Sequence, residues 1–234
     1  MQISSRIVLV RVLIVTALAV APALAQTVSG AKGGFVGTSD NVKIHYLEAG
    51  RNFTVTHAEG PPGNPTISIS SSPSFLFVPG WTMPAWIWEH QITHFAKTHR
   101  VVAMDPRGQG ESDKPRDGYF PAQRARDIRA VIEQLKLDPV VLVGWSMGVA
   151  EVAAYVEQFG TDRLAAVVLV DGLAGGYDAQ FTAAIVNFAG QHLKDRAKTT
   201  DAFVRSMYRK PQDEAYLKRV MAAALQTPTD AAMA

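Results

Sequence analysis

The sequence predicts an α/β fold: a three-layer α/β/α sandwich on a mostly parallel sheet, with helices on both faces. Two observations carry this. Phe75–Val78, Val101–Met104, Val140–Val143 and Ala165–Val170 are short, continuous apolar runs. Their length and lack of alternation are those of strands buried on both faces. Between them lie segments with apolar residues at helical spacing, so strand and helix alternate along the chain. Such crossovers are right-handed nearly without exception, and the chemistry of an open sheet of this kind gathers at the carboxyl ends of its strands.

Taken in order, Phe35–Gly37 and Val42–Leu47 predict two short strands around a Thr-Ser-Asp-Asn turn. Gly50 to Ser74 is dense in Gly, Pro, Ser and Thr, and predicts a long surface loop with one candidate strand at Thr66–Ile69. Pro84–Thr98 is helical in character. Ile128, Val131, Ile132 and Leu135 mark an amphipathic helix over Pro121–Lys136, and Val149, Val152, Ala153 and Val156 mark the next. Beyond Gly176 the strands stop. Phe181, Ala184, Ile185 and Phe188 line one helix; Phe203, Val204 and Met207 a second; Leu217, Val220, Met221 and Ala224 a third. Trp86, Trp88, Phe181, Phe188 and Phe203 could line an apolar pocket, but at this spacing each fits plain core as well. Thr227-Pro228-Thr229-Asp230 has the form of a helix start, a capping Thr with Pro at the first helical position. Only Ala-Ala-Met-Ala follows, and so brief a helix is marginal by itself. The expected organisation is a core over 26–173 and an incomplete helical cap over 174–234.

Composition narrows the class. The 234 residues are 47% hydrophobic and 19% charged, the balance of a folded globular chain. Of 23 basic residues, Arg6 and Arg11 are the only charges in the first 25 positions, so the remainder carries 21 basic against 21 acidic. No basic stripe interleaved with aromatics is present, and no nucleic-acid partner is expected. Cysteine is absent, which excludes disulfides, thiolate metal sites and a Cys nucleophile. Arg6 and Arg11, the apolar Val12–Val20 and the small-x-small Ala23-Leu24-Ala25 form an export signal over 1–25, cleaved after Ala25. The alternative is an uncleaved anchor, but the apolar stretch falls short of the roughly 20 residues that a bilayer span needs. The expectation is a periplasmic or extracellular protein with no stable membrane span after cleavage.

The sharpest motif is Gly144-Trp145-Ser146-Met147-Gly148, a G-x-S-x-G set between the Val140–Val143 strand and the helix after it. A Ser in so tight a turn sits in strained backbone, and a side chain two residues either way would crowd it. The helix N-terminus that follows favours negative charge nearby. With Phe77-Val78-Pro79-Gly80-Trp81 and Met104-Asp105-Pro106-Arg107-Gly108-Gln109-Gly110-Glu111-Ser112, in that order, the chain resembles the α/β-hydrolase fold family of serine esterase type. The match runs roughly from Phe35 to Gly172, and the later helices resemble that family's cap.

The resemblance implies Ser146 as the nucleophile, with Gly144 and Gly148 framing its elbow. It implies an oxyanion hole made by the backbone N–H groups of Met147 and Trp81, the latter after Pro79-Gly80 where the family usually has His-Gly. Plain aromatic packing is the alternative for Trp81. In the family, the Asp105–Arg107 loop is mainly structural. An acid and then a His should follow the nucleophile. His45, His57, His90, His94 and His99 precede Ser146, and His192 falls in a cap helix, so none has the family's position. Asp171, at the end of a strand, is a candidate acid in a less common arrangement. The chain is therefore expected to be a fragment without its His and acid. The implied function is an exported serine hydrolase acting on small carboxylic esters through an acyl-enzyme. Alternatives are a cofactor-free perhydrolase or haloperoxidase using the same elbow, and a non-catalytic binding protein derived from a hydrolase. Ser146, where an Asp nucleophile would stand, argues against a haloalkane dehalogenase or epoxide hydrolase. No metal-ligand cluster, phosphate-binding glycine loop or dinucleotide fingerprint occurs, so no metal and no cofactor is expected.

Overall fold

The computed structural model describes residues 28–59, 66–172, 175 and 178–234. The expected export signal at 1–25 lies outside the described residues. The described residues form eight strands: β1 (Lys32–Gly37), β2 (Lys43–Ala49), β3 (Thr54–Glu59), β4 (Thr66–Ser71), β5 (Ser74–Val78), β6 (Val101–Met104), β7 (Val140–Trp145) and β8 (Leu164–Val170). Six of them form one sheet in the order β1-β2-β6-β5-β7-β8. β6, β5, β7 and β8 run parallel to one another, while β1 and β2 form an antiparallel edge. The helices are α1 (Glu89–Phe95), α2 (Pro121–Gln134), α3 (Met147–Phe159), α4 (Ala179–Lys194), α5 (Arg196–Ser206), α6 (Glu214–Gln226) and α7 (Thr229–Met233).

Each face of the sheet has its own core, which is why its central strands are apolar throughout. On one face Ile44, Leu76, Val78, Val102 and Leu142 pack against Ile128 and Ile132 of α2 and Val152 and Tyr155 of α3. On the other, Phe77, Val101, Ala103 and Val143 pack against Trp86, Trp88 and Ile92. Val204 of α5 and Leu217 and Val220 of α6 join this second core. Trp86 and Trp88 are thus core residues. Successive residues of β5 feed opposite cores, and Phe75 pairs with Val101 on one side and Val141 on the other. β8 differs: Val168 is 40% exposed and Leu169 48%, so this apolar strand is open to solvent among the described residues.

Three expectations change. Within 50–74, β3 and β4 pair antiparallel from Thr54↔Ser71 to Glu59↔Thr66 as a separate two-stranded sheet. The Gly and Pro residues all fall outside the two strands, whose own sequences, TVTHAE and TISISS, are rich in the β-branched residues that suit a pleated surface. Pro84–Thr98 is not one helix either. A 3-10 turn at Ala85–Trp88 precedes α1, with Pro84 capping it in an extended conformation. At the C-terminus Pro228 rather than Thr227 occupies the N-cap of α7, one residue on from the expected start.

Because Leu76 is completely buried at the centre of β5, Leu76→Ala should lower unfolding stability by about 2–5 kcal/mol. The fall in urea midpoint at unchanged slope would measure it.

Candidate active site

β5 and β7 are parallel neighbours, with Val78 opposite Gly144, so the loops that leave them emerge side by side. β7 passes into α3 through one residue. Ser146 takes φ 54° and ψ −118°, donates its N–H to Val170 O at 2.9 Å, and accepts from Val149 N–H at 3.0 Å. A non-glycine residue reaches positive φ only where its surroundings enforce it, at a cost of about 1–3 kcal/mol.

The space around the turn supplies that enforcement. A Cβ on Gly148 would lie 2.6 Å from Val78 O and 2.9 Å from Pro79 O. One on Gly144 would lie 2.5 Å from Gly148 O. Both glycines are there because backbone meets backbone. Gly80 completes the approach: its missing Cβ position is 2.9 Å from Ser146 Cβ and 3.4 Å from Ser146 Oγ. The peptide leaving Gly80 carries the Trp81 N–H, and the first N–H of α3 is that of Met147. The structure therefore brings Gly80, Trp81, Gly144, Ser146, Met147 and Gly148 together.

The loop after β6 braces this arrangement with buried charge. Asp105 Oδ2 lies 2.7 Å from His45 Nδ1 and accepts from Glu111 N–H at 3.0 Å, while Oδ1 accepts from Ala85 N–H. Arg107 grips Asp127 of α2 through two bonds of 2.6 Å and reaches Asp40 at 3.0 Å. Burial works against the Arg107 charge, but these two carboxylates more than offset it and hold the guanidinium's pKa above its ordinary value. Arg124 of α2 pairs with Glu151 of α3 at 2.7 Å, and the same nitrogen lies 3.6 Å from Met147 Sδ. Burial pushes the Glu151 carboxyl upward despite that partner. These pairs tie the loop and α2 to the helix that starts at Met147.

Trp81 does more than present an N–H. Its Nε1 donates to Ala232 O at 2.6 Å, and its ring meets Phe188, His192 and Phe203 edge to face at 5.1–5.2 Å. Phe188 and Phe203 thus gather at the site, whereas Phe181 is exposed. Asp171 takes φ 47° at the end of β8 and is exposed. His45 is engaged by Asp105 and His99 by Thr98. His192 is 1% exposed, and neither ring nitrogen has a hydrogen-bond partner among the described residues. No group of three or more metal-ligating side chains occurs among the described residues.

Sequence reasoning did not single out the Arg124–Glu151 pair, Gln109 or the packing of His192 on Trp81. No spacing signal links these residues; only the fold places them together. Burial, then the charge of Arg196, lowers the His192 pKa below its ordinary value. A depressed folded pKa makes the unfolded chain bind the proton first, so this stability is present above about pH 6.5 and lost as pH falls below it. His192→Phe should accordingly lose less stability than the native chain between pH 7.5 and 5.5, read as the shift in urea midpoint.

Residues 73–220 match the family model described as the alpha/beta hydrolase fold. The chain is 33% identical over 141 residues to a bifunctional esterase/perhydrolase of Acinetobacter calcoaceticus, covering 60% of this chain and 45% of that protein. It is 34% identical over 141 residues to a non-heme chloroperoxidase of Streptomyces lividans, with the same coverage. This chain thus spans less than half the length of these curated relatives. Among solved structures, an esterase from Exiguobacterium antarcticum superposes with a TM-score of 0.73 at 21% identity, over 86% of this chain and 71% of that one. A bromoperoxidase from Bacillus anthracis does so with the same TM-score and coverage at 22% identity. At those identities the structural likeness speaks for the fold. Family match, sheet order and strand-to-helix turn agree: the chain belongs to the α/β hydrolase fold family.

Proposed function

We propose that this chain carries the nucleophile and oxyanion half of a serine hydrolase that acts on small carboxylic esters through an acyl-enzyme. The observation that carries the reading is Ser146, held at φ 54° between the end of β7 and the start of α3, with Gly80 against its side chain. Ser146 Oγ attacks the ester carbonyl. The Met147 and Trp81 N–H groups receive the negative charge that develops on the carbonyl oxygen, and the N-terminus of α3 adds its dipole. Losing one such donor costs a hydrolase about 10²–10³ in rate. The hydrogen bonds made by His45 and His99 do not reach Ser146, and His192 makes none among the described residues. The proton relay, an acid and a His, belongs in this reading to residues other than those described.

A relative named as a bifunctional esterase/perhydrolase supports ester chemistry. The second reading, a cofactor-free perhydrolase or haloperoxidase built on the same serine, is favoured by the 34% identity to a non-heme chloroperoxidase. Residues 1–25 act in this proposal as an export segment, and the protein works in a periplasm or outside the cell. Among the described residues no helix is long and apolar enough to cross a membrane.

The serine reading is tested with p-nitrophenyl acetate and butyrate and with a fluorophosphonate probe, comparing the full chain with Ser146→Ala. Labelling, and any turnover the chain shows, should both be lost in the variant, and a large Ser146-dependent turnover would mean that this chain supplies its own proton relay. Turnover that survives in Ser146→Ala would overturn it, and a folded chain that neither turns over nor labels would favour a fragment without its proton relay or a binding protein. Export is tested by N-terminal sequencing of the protein recovered from a bacterial periplasm, which should begin at Gln26.

A further inference from the structure

Gln109 sits between the two glycines of the loop that follows β6, and only 1% of it is exposed. Its carboxamide spends both ends on one short segment. Nε2 donates to Gly80 O and to Met83 O, each at 3.3 Å, and Oε1 accepts from Thr82 N–H at 2.5 Å. An amide offers two donors and one acceptor oxygen, and all three are matched here to groups of the right kind.

The segment so held is a four-residue turn, Gly80 to Met83, closed by Met83 N–H donating to Gly80 O at 3.2 Å. Thr82 stands at its third position with φ 58°. Glycine or asparagine is the ordinary occupant there, and a β-branched residue is an outlier. Thr82 Oγ1 adds one more bond, donating to Trp81 O at 2.7 Å. An outlier of this kind persists only where its neighbours over-determine it. Gln109 supplies three of those constraints, in a place where water does not compete.

The consequence falls on the Trp81 N–H. That group shares a planar trans peptide with Gly80 C=O, so the two point in opposite directions. Fixing Gly80 O toward Gln109 and Met83 fixes the Trp81 N–H away from them. Gly80 itself lies against Ser146. We propose that Gln109 is the positioning residue of the oxyanion hole, acting through Gly80 O, Thr82 N and Met83 O to aim the Trp81 N–H. This rests on the roles given above to Ser146 and Trp81.

The test uses the full chain and three variants: Gln109→Leu, which removes all three bonds; Gln109→Glu, which keeps an acceptor for Thr82 N–H but sets a carboxylate against two carbonyl oxygens; and Gln109→Leu with Thr82→Gly, which relieves the backbone outlier. Rates with p-nitrophenyl acetate are normalised to folded protein. Both single variants should lower kcat about 10–100-fold while KM moves less than about twofold, because the misaimed donor matters chiefly in the transition state. The double variant should recover part of kcat, since glycine accepts positive φ without cost. An unchanged kcat in Gln109→Leu, or a double variant no better than the single, would overturn the proposal. Hydrogen exchange of the Thr82 amide in the native chain gives a readout independent of turnover and of variant folding. That amide should be strongly protected, and exchange at the rate of an open loop would overturn the clamp. A native chain with a protected Thr82 amide but neither Ser146-dependent turnover nor fluorophosphonate labelling would instead favour the fragment or binding-protein reading and leave the clamp standing.

Discussion

Backbone pressed against backbone is the constraint on which the site depends. β7 must turn into α3 directly beneath the carbonyls of Val78 and Pro79, and the helix can enter only because Gly144 and Gly148 lack side chains. That approach leaves a single residue, Ser146, to complete the reversal, and it does so in a conformation that L-residues ordinarily avoid. The N–H bond from Ser146 to Val170 O then ties the turn to β8. The same closeness sets Gly80 against the serine. Geometry at the serine is therefore a property of three adjacent strands and not of its own loop.

Around this contact the protein places polar groups where an apolar core would be cheaper. Arg107–Asp127 and Arg124–Glu151 are both buried pairs, and pairs of this kind contribute little net stability once desolvation is counted. Removing one partner is another matter, because it strands a charge at a cost of about 3–5 kcal/mol. Their effect is positional. α2, α3 and the Asp105–Ser112 loop cannot slide past one another without breaking them. Asp105 and Gln109 carry the same logic to the other side, where their side chains hydrogen-bond four backbone groups of the segment from Gly80 to Ala85.

Much of this was legible in the sequence, and the limits are instructive. Central strands announce themselves because burial on both faces demands uninterrupted apolar residues, as in Val101–Met104. The strand-to-helix turn is equally legible, since its glycines are dictated by space. Of the outlying pair, β4 was legible as the candidate strand at Thr66–Ile69, whereas β3 was obscured by the Gly- and Pro-rich surroundings that read as loop. Gln109 is visible as a letter inside Asp105–Ser112, but its partners lie some thirty residues earlier, on a neighbouring strand's loop. His192 is harder still. Nothing in an amphipathic helix says that one histidine will end against Trp81, more than a hundred positions away.

The strand order also has a temporal side. β5 lies between β6 and β7, and its parallel pairing with each requires a crossover to be completed first. Closing such loops costs entropy before any contact repays it, and parallel sheets accordingly assemble late and slowly. The Val78 and Pro79 carbonyls that confine Gly148 are in place only once β5 and β7 have met. The turn at Ser146 thus has nothing to enforce its geometry in a partly folded chain. The positive-φ turn at Ser146 is therefore a late product of folding, completed only when the parallel strands on either side of β7 have come together.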